Sequence, residues 1–575
     1  METAKKVYGI DLGTTYSVIT TLDDNGMPEV IDNYCDGTDF LPSAVWFQDG
    51  SDPVVGKEAK KMKVSEPDRV VEFIKRYIGK PDAPKYQFNG EEYDPIKISA
   101  LILKRMKAYA DEQGHNVQDV VITCPAYFGN EEKMATRQAG ELAGLNVLNI
   151  VHEPTAAALN YCSREFKENR KVMVYDLGGG TFDITLFDFC VDEQGKSLLD
   201  VIKTGGDDRL GGIDWDSRLF DLMCQKYVDH EEVSIELSDM DDDLKSIIRA
   251  EVEEVKQSLS QLNKKSVKIV YDGTRIPIEV TRQEFEECSQ DLVIRTMSFV
   301  HSLLSDVHLS ADDVDLVLLV GGSTLMPMIK NAVEALFPNK VRVEQPHLAV
   351  AKGAALSAAC EYNERLLNIQ EKITQGKTIS QEEKEALGVA ADKPITADSI
   401  SHLMINVPQQ VSTVKDKLTR SLGPMVFDGT RNDLVIENLL FVGDEIPAEA
   451  EETYTPYEDN QPQIQLCVYE NVSEDRVNNR LISPIGKDKK ERYTDPALKV
   501  KLIGELILPL PPNTPKTTRI RVAFRSSTVG LEVTATNVET GESVQTVIQS
   551  DLLYSEEKLQ EVKSRFASIQ TVGEI

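Results

Sequence analysis

Two glycine-rich turns with an aspartate at the same offset contain the residues best suited to chemistry. The segments VYGIDLGTTYSVI (7–19) and VMVYDLGGGTFDITL (172–186) share one plan: an apolar strand, an Asp-Leu-Gly turn with small residues, and a second apolar strand. Glycine lets backbone N–H groups approach phosphate oxygens without interference from a Cβ atom. Carboxylates such as those of Asp11 and Asp176 can hold hydrated Mg²⁺. A nucleoside triphosphate requires this combination of groups.

The duplicated strand, turn and strand unit predicts two similar α/β lobes that face one another, with a ligand between the turns. One Gly-rich turn alone would as readily be an ordinary hairpin, but two copies with Asp at one offset favour a functional site. The cleft between the lobes is the expected active site. The residues expected to present backbone N–H groups to phosphates are Gly13, Thr14 and Thr15 in the first turn and Gly178, Gly179 and Gly180 in the second.

Two further segments are suited to complete a ligand site. LVLLVGGSTLMPMIKNAVEALF (316–337) predicts a buried strand, a tight turn that can present N–H groups, and a helix. The segment IIRAEVEEVKQSLSQL (247–262) predicts a helix with Glu253, Lys256 and Ser260 on one face, available for other contacts. Its predicted buried stripe consists of Ile248, Val252, Val255, Leu259 and Leu262.

Composition limits the class of protein. The chain has 575 residues, so we expect at least two domains, because single cores stop growing at roughly 250 to 300 residues. A formal charge of −32 repels phosphate backbones and anionic membrane surfaces, which argues against nucleic acid or a membrane as a partner. We find no export signal and no apolar run of the roughly 18 residues that a membrane helix needs. We therefore expect a cytoplasmic protein whose eight scattered cysteines are reduced.

The pattern changes in the second half of the chain. Residues 361–399 are polar, helix-prone and broken by Pro394, which is typical of the end of one domain and an inter-domain segment. Beyond about 400 the hydrophobic period is two, which predicts a β domain closed by a hairpin whose turn is residues 539–542. Residues 555–570 predict one short helix, in which Ser555 is the N-cap and the apolar stripe consists of Leu559, Val562, Phe566 and Ile569.

Several motifs resemble the signatures of DnaK-like chaperones, the seventy-kilodalton heat-shock family, in their usual order. They are GIDLGTTYSV, VITCPAYFGN, EPTAAAL, DLGGGTFD, LGGIDWD and VGGST, and the strong resemblance covers about residues 5–360. The resemblance implies an actin-like, ribonuclease H-like duplicated α/β ATPase that binds MgATP between two lobes. It further implies an all-β peptide-binding sandwich after the ATPase, here followed by a short C-terminal helix.

The resemblance also implies roles for individual residues. Asp11, Glu153 and Asp176 match the acidic positions that hold Mg²⁺ through water and orient the attacking water. Lys75 matches the lysine near the γ-phosphate, and Thr181 matches the threonine beside the in-line nucleophile. Further matches are Thr14, Thr15 and Tyr16 in the first phosphate loop and Glu253, Lys256, Ser260, Gly321, Gly322 and Ser323 around ribose and adenine.

Three positions depart from the family pattern or leave their role open. Asp183 resembles a residue near a monovalent-cation site, which would take K⁺, but a turn-capping Asp explains it equally well. Leu325 stands where many relatives carry arginine, and Gln257 where some relatives do. Losing guanidinium stacking removes on the order of 1 kcal/mol, so we expect weaker ATP or ADP binding than usual.

We predict four parts: an ATPase domain at 1–360, a helical insert and linker at 361–405, a β-sandwich at 406–553 and a truncated lid helix at 554–575. The predicted function is ATP-dependent chaperone activity on unfolded or client polypeptides, with a J-domain co-chaperone and a nucleotide exchange factor as implied partners. A chaperone-like exchange factor or binding protein with little coupled hydrolysis is the alternative. A sugar or metabolite kinase would need an acceptor base and no peptide-binding domain.

Overall fold

The computed structural model describes residues 5–33, 37–165, 168–191, 197–380, 383–384, 400, 402–407, 413–415, 417–430, 432–471, 481–484, 500–527, 530–548 and 552–573. The predicted insert is therefore only partly covered, and Pro394 lies outside the described residues. Two lobes of similar topology come first along the chain, and a β-sandwich follows them.

The first lobe is built on a sheet of order β11-β10-β1-β2-β3, with β4 paired to β2. Its strands are β1 (Tyr8–Asp11), β2 (Tyr16–Leu22), β3 (Pro28–Val30), β4 (Leu41–Pro42), β5 (Val45–Trp46), β6 (Val54–Val55), β7 (Val70–Val71), β8 (Tyr86–Phe88), β9 (Glu91–Tyr93), β10 (Asp119–Cys124) and β11 (Asn146–His152). Its helices are α1 (Lys57–Met62), α2 (Pro95–Glu112) and α3 (Asn130–Leu142), and α4 (Glu153–Glu165) leads into the second lobe.

The second lobe repeats this plan with the sheet order β18-β17-β12-β13-β14. Its strands are β12 (Arg170–Leu177), β13 (Phe182–Val191), β14 (Ser197–Asp207), β15 (Lys264–Tyr271), β16 (Thr274–Thr281), β17 (Leu316–Val320) and β18 (Val341–Val343). Its helices are α5 (Gly212–Val228), α6 (Asp242–Gln261), α7 (Arg282–Cys288), α8 (Gln290–Asp306) and α9 (Pro327–Leu336), and α10 (Ala349–Thr374) follows.

The repeat predicted from the two Asp-Gly turns is confirmed by strand pairing. In each lobe the turn joins two antiparallel strands, β1 with β2 and β12 with β13. The first strand of each hairpin also pairs in parallel with a later strand, β10 in one lobe and β17 in the other. Asp11 is the last residue of β1 and Asp176 the last but one of β12, and each pairs with a residue seven positions later, so the two aspartates occupy equivalent places.

Helices α4 and α10 pack together between the two sheets. Their contact is so close that a Cβ atom on Gly353 of α10 would lie 1.8 Å from the carbonyl oxygen of Ala156 in α4. The apolar residues of both helices belong to one buried cluster with residues of the second-lobe sheet, such as Val174 and Phe187. Backbone contact between these helices thus fixes how the lobes are joined.

One expectation for this region, the burial of Leu262, is corrected. Leu262 is 52% exposed and is not part of the buried stripe, because the backbone becomes extended at this residue as helix α6 ends. Helix α10 runs without a break through the expected boundary at residues 360 and 361. The helix continues because Tyr362, Leu366 and Ile369, which are spaced four and then three residues apart, extend its buried face.

The β domain consists of two sheets, with orders β24-β21-β20-β23-β25 and β22-β26-β27-β28. The strands of the second half of the chain are β19 (Thr413–Lys415), β20 (Ser421–Asp428), β21 (Asp433–Asn438), β22 (Ala448–Tyr454), β23 (Gln463–Asn471), β24 (Leu481–Pro484), β25 (Val500–Pro509), β26 (Ile520–Ser527), β27 (Gly530–Asn537) and β28 (Ser543–Val547). Residues of both sheets form one core, and β27 and β28 pair as the predicted hairpin.

The start of the expected β domain belongs structurally to the second lobe. Strand β19 pairs in parallel with β14, with Leu198 opposite Thr413, so it adds to the edge of the lobe's sheet. The predicted linker is held against α10, because the side chain of Asn363 both accepts from and donates to the backbone of Ile405, at 2.9 Å in each case.

The sandwich contacts the first lobe through a buried charged cluster. Glu470 at the end of β23 and Lys501 of β25 face Glu131 and Glu132 at the start of α3, and Lys501 pairs with Glu131. Glu470 is 5% exposed, so its carboxylate is removed from water.

The terminal helix α11 (Glu556–Phe566) is confirmed as an element, with the side chain of Ser555 capping it through the N–H of Lys558. A lid helix would lie over the β domain, but this helix packs on the first lobe. Leu559, Val562 and Phe566 of its apolar stripe are buried in the same core as the residues of α2 and α3.

Candidate functional site

The two Asp-Gly turns lie at the base of a cleft of about 560 Å³ between the lobes. The predicted residues that line it are Asp11, Gly13, Thr14, Thr15, Tyr16, Lys75, Glu153, Asp176, Gly178, Gly179, Thr181, Glu253, Lys256, Ser260, Gly321, Gly322 and Ser323. Gly180 and Asp183 lie behind this surface and do not line the cleft. Residues from six separate segments of the chain therefore converge on one site.

The turns touch each other across the base of the cleft. A Cβ atom on Gly179 would lie 1.9 Å from Thr15 Oγ1, and one on Gly180 would lie 2.5 Å from Thr14 Cγ2. Thr15 Oγ1 is shielded from solvent and has no hydrogen-bond partner among the described residues. A shielded hydroxyl without a partner, set among glycine N–H groups, fits an oxyanion such as a phosphate.

An ion pair and an aspartate lie next to these turns. Lys75 donates a hydrogen bond to Glu153, and both side chains are buried. Burial, together with the nearby charge of Glu153, raises the pKa of Asp11 to about 7, although Lys75 and a hydrogen bond from Thr123 oppose the shift. Burial alone would lower the pKa of Lys75, but the charges of Glu153 and Asp11 outweigh it and raise that pKa.

Two further carboxylates extend this cluster. Burial and the charge of Glu153 hold the pKa of Asp176 and of Asp183 well above the ordinary value. Asp183 accepts a hydrogen bond of 2.8 Å from the N–H of Ala126, so one of its oxygens caps a first-lobe turn. Its other oxygen, Oδ2, is buried without a partner among the described residues. The oxygen bonded to Ala126 supports the turn-capping role of Asp183, and the other oxygen supports a role near a monovalent cation.

The acidic cluster fits a hard divalent cation. Asp11, Glu153, Asp176 and Asp183 offer buried carboxylate oxygens, the ligand type that Mg²⁺ prefers, and their mutual repulsion is compensated only in part by Lys75. Within the described ranges, no three His, Cys, Asp or Glu side chains are arranged to ligate one metal ion directly. Mg²⁺ commonly keeps several of its waters when it binds a protein, so a site for it does not require three direct side-chain ligands.

The second-lobe wall of the cleft is preorganised by polar contacts. Lys256 pairs with Asp216 at 2.7 Å and donates to the carbonyl of Gly212 at 3.1 Å. Ser323 Oγ donates to the carbonyl of Gly178 at 2.9 Å, which ties the third Gly-rich turn to the second. Gly321 has φ +82, and a Cβ atom there would lie 2.3 Å from the carbonyl oxygen of Leu177, so this turn requires glycine.

A polar bridge that includes Tyr16, the residue after the first turn, joins the two lobes beside the cleft. Lys60 of α1 pairs with Glu253 of α6 and donates to the hydroxyl of Tyr16 at 3.0 Å, and Tyr16 donates to Glu253 at 2.7 Å. Burial alone would raise the pKa of Glu253, but the charge of Lys60 and hydrogen bonds from Lys60 and Tyr16 outweigh it and lower that pKa. The bridge therefore holds a charged pair between the first and the second lobe.

Sequence reasoning missed several residues at this site. Lys60, Asp216 and Arg76 belong to it, and Arg76 pairs with Asp214 across the cleft at 2.8 Å while donating to the carbonyl of Gly180 at 2.9 Å. Lys60 had no periodic or motif signal, whereas Asp216 is the last residue of the LGGIDWD motif and could have been found from it. Arg76 directly follows Lys75 in the IKRYIG segment, and that adjacency is the one signal that pointed to it.

Comparison with known proteins decides the family. The model of the Hsp70 protein family matches residues 7–86 and 81–369, which is more than half of the chain. The chain belongs to the Hsp70 family. The actin-like ATPase fold followed by a β-sandwich, expected from the motifs, is thereby confirmed.

The Hsp70 relatives found by sequence include the chaperone protein DnaK of Thermotoga neapolitana and that of Thermotoga maritima. Each is 38% identical to this chain over 366 residues, a stretch that is 61% of this chain and 59% of the relative. The match thus spans about three fifths of the length of these Hsp70 relatives. None of the helices in the described part of the chain has the length and apolar character needed to cross a membrane.

Proposed function

We propose that this protein is an ATP-dependent chaperone that binds and hydrolyses ATP in the cleft. The observation that carries the proposal is the convergence of two Asp-Gly turns and the buried Lys75 on one cleft, in a chain of the Hsp70 family. With water as acceptor, the protein would act by positioning the reactants and stabilising charge, because phosphoryl transfer needs little covalent assistance.

The cluster supports a division of roles. Asp11, Glu153 and Asp176 would hold a hydrated Mg²⁺, which neutralises phosphate charge when bound. Lys75 would stabilise charge on the γ-phosphate, and the ion pair with Glu153 fixes its ammonium at the cleft. Thr181, which is buried in the second turn, would orient the attacking water. The free oxygen of Asp183 would be available to K⁺.

The β domain has a candidate peptide site. Phe427 at the end of β20 and Tyr457 in the turn before β23 are 42% and 71% exposed, and their ring centroids lie 5.2 Å apart. An exposed aromatic pair formed by the end of a strand and a separate turn suits an extended apolar peptide. The same sheet carries a small apolar cluster apart from the main core, made of Ile436, Cys467, Tyr469 and Val500.

The segment 421–435 is a hairpin of β20 and β21. Its two ends differ in exposure, because Leu422 and Val435 are buried whereas Phe427 is exposed. We propose that the exposed end of this hairpin contacts polypeptide clients and that the buried end maintains the sandwich.

The division of the chain is part of the proposal. We propose an ATPase domain that ends with α10 at Thr374, rather than at 360, and a sandwich that begins near β20. A J-domain co-chaperone and a nucleotide exchange factor are proposed partners, because the family resemblance implies both. A cytoplasmic location is supported by the free thiols of Cys162, Cys190, Cys224, Cys288 and Cys360.

Single-turnover and steady-state ATP hydrolysis would test the enzymatic part. We expect wild type to hydrolyse ATP, and Lys75→Ala and Thr181→Ala to lower the rate by about 10² or more, the range seen when one charge-stabilising donor is removed. Arg275→Ala, an exposed change on the β15 and β16 hairpin, serves as the matched control. Nucleotide binding without turnover in wild type would refute the hydrolysis proposal.

Peptide binding would test the chaperone part. We expect an unfolded apolar peptide to stimulate hydrolysis and Tyr457→Ala to weaken its binding about tenfold, because one large aromatic contact is lost. Val547→Ala, exposed on the opposite sheet, should leave affinity unchanged. If fluorescence anisotropy shows that Tyr457→Ala and wild type bind the peptide with equal affinity, the aromatic pair is not part of the peptide site.

A further inference from the structure

A short segment far along the chain completes a sheet of the first lobe. Residues 570–573, here called the tail strand, run beside β6, with Val572 opposite Val54 in a parallel bridge. The N–H of Val55 donates to the carbonyl of Val572 at 3.0 Å, and the N–H of Val572 donates to the carbonyl of Pro53 at 3.1 Å. The small sheet of β6, β5 and β7 is thereby extended beyond its edge strand β6 by one bridge and two hydrogen bonds.

The tail strand is the end of a longer strap, residues 552–573, that is fixed to the first lobe along its length. Tyr554 exchanges two hydrogen bonds with the side chain of Gln138, at 2.7 and 3.0 Å. Lys104 donates to the carbonyl of Phe566 at 2.7 Å. A Cβ atom on Gly573 would lie 2.1 Å from Arg105 Nη2, so the end of the strap fits closely against α2.

The small sheet supports the element that forms the polar bridge beside the cleft. Strand β6 ends at Val55, Gly56 follows with φ 111, and helix α1 begins at Lys57. This helix has six residues and no side-chain N-cap hydrogen bond, so it is too short to be stable alone and depends on its attachment. Its Lys60 makes the bridge to Glu253 and Tyr16 across the cleft.

We propose that the tail strand positions helix α1, and through it Lys60, so that docking of this strand on β6 controls how long the cleft retains its nucleotide. This inference rests on the proposed nucleotide binding and deepens it. Two backbone hydrogen bonds hold the tail strand directly before the start of α1. When they are broken, the base of α1 loses a neighbouring strand and Lys60 is held less firmly against Glu253.

The strap also links the sandwich to the cleft. Ile548 is buried in the sandwich core and Leu553 in the first-lobe core. Four residues lie between them, so the five steps from one Cα atom to the next can span at most about 18 Å. A movement of the sandwich away from the first lobe beyond that reach must pull on the strap. The tail strand is therefore a route by which the state of the β domain reaches the nucleotide cleft.

A double-mutant cycle on the release of a fluorescent ADP would test the proposal. Val572→Pro removes the N–H donor to Pro53 and clashes with the bridge, whereas Val572→Thr keeps the donor and the strand propensity. We expect Val572→Pro and Lys60→Ala each to speed release about threefold to tenfold, the effect of losing one or two hydrogen bonds. The double variant should release ADP no faster than Lys60→Ala does. The control variant Val572→Thr should release ADP at the wild-type rate.

Hydrogen–deuterium exchange over residues 53–62 supplies the readout that does not need nucleotide. Val572→Pro should raise exchange at Val55 and along α1 in protein without nucleotide. Gly573→Val, which would clash with Arg105, should do the same and covers the case in which the proline variant fails to fold. Unchanged exchange in both variants would overturn the positioning role.

The two proposals can fail separately. If wild type binds no nucleotide, the proposed function fails, while exchange in α1 still tests the tail strand. If wild type binds ADP and α1 loosens but release keeps its rate, the inference is wrong and the proposed function stands. Additive effects of Val572→Pro and Lys60→Ala would likewise refute action through Lys60.

Discussion

Replacing Glu470 by glutamine should stabilise the contact between the sandwich and the first lobe at high pH. Burial raises the pKa of this carboxyl from 4.5 to about 7; Glu132 and Glu131 add to the shift, and Lys501 and Arg420 oppose it. These four groups are the charges that face it from α3, β25 and the start of β20. The native state therefore keeps a proton that the unfolded chain releases.

The magnitude follows from the two pKa values. Between pH 4.5 and 7 the native protein binds about one proton more than the unfolded chain, so the free energy of unfolding falls as the pH rises. At about 1.4 kcal/mol per pH unit, the loss reaches about 3 kcal/mol above pH 7. Glutamine cannot ionise, so Glu470→Gln should be more stable than wild type by up to this amount at pH 8 and equal to it near pH 4.5.

Urea unfolding of both proteins at pH 5, 6, 7 and 8 would measure this difference. Hydrogen–deuterium exchange at β23 would identify the transition in which the sandwich leaves the first lobe. Glu505→Gln on the exposed side of β25 is the control and should show no such pH-dependent gain. If the stability difference between Glu470→Gln and wild type is the same at pH 5 and pH 8, the carboxyl is ionised throughout and the reasoning is refuted.

Three further changes have defined outcomes. Leu325→Arg adds a cation beside the cleft at a side chain that is 49% exposed, and calorimetry should show ATP affinity rising about twofold to fivefold. Asp216→Asn removes the partner that holds Lys256, and the same measurement should show affinity falling about threefold to tenfold; an unchanged affinity would mean that Lys256 is held without it. Gly353→Ala should lower the free energy of unfolding by about 1–3 kcal/mol or more, because the methyl group of the alanine has no space against Ala156. A urea midpoint equal to that of wild type would contradict this expectation.

The sequence was sufficient for the repeated hairpins because their signal is local. An apolar strand that ends in Asp-Leu-Gly fixes the strand, the turn and the position of Asp11 or Asp176 without knowledge of distant contacts. The buried face of α10 was also readable, since Tyr362, Leu366 and Ile369 continue its spacing into a polar segment. The boundary was expected at 360 because the segment that follows is polar, although the apolar spacing continues into it.

Contacts between distant segments could not be predicted in the same way. Lys60 lies in a six-residue helix whose charged sequence resembles any solvated surface, and its partner Glu253 is 193 residues away. The place of α11 was missed for a related reason. An apolar stripe indicates that one face of a helix is buried. The stripe of Leu559, Val562 and Phe566 does not indicate which core of the protein buries it.

The position of the strap has a consequence for the synthesis of the protein. Tyr554 bonds to Asp94 across 460 residues, so the first lobe is complete only after the ribosome has made all intervening segments. At translation rates of about 5–20 residues per second, the apolar groove on α2 and α3 stays uncovered for roughly 20–90 seconds. During that interval the nascent chain exposes the kind of surface that chaperones recognise, so a member of the Hsp70 family is itself expected to need protection while it is being made.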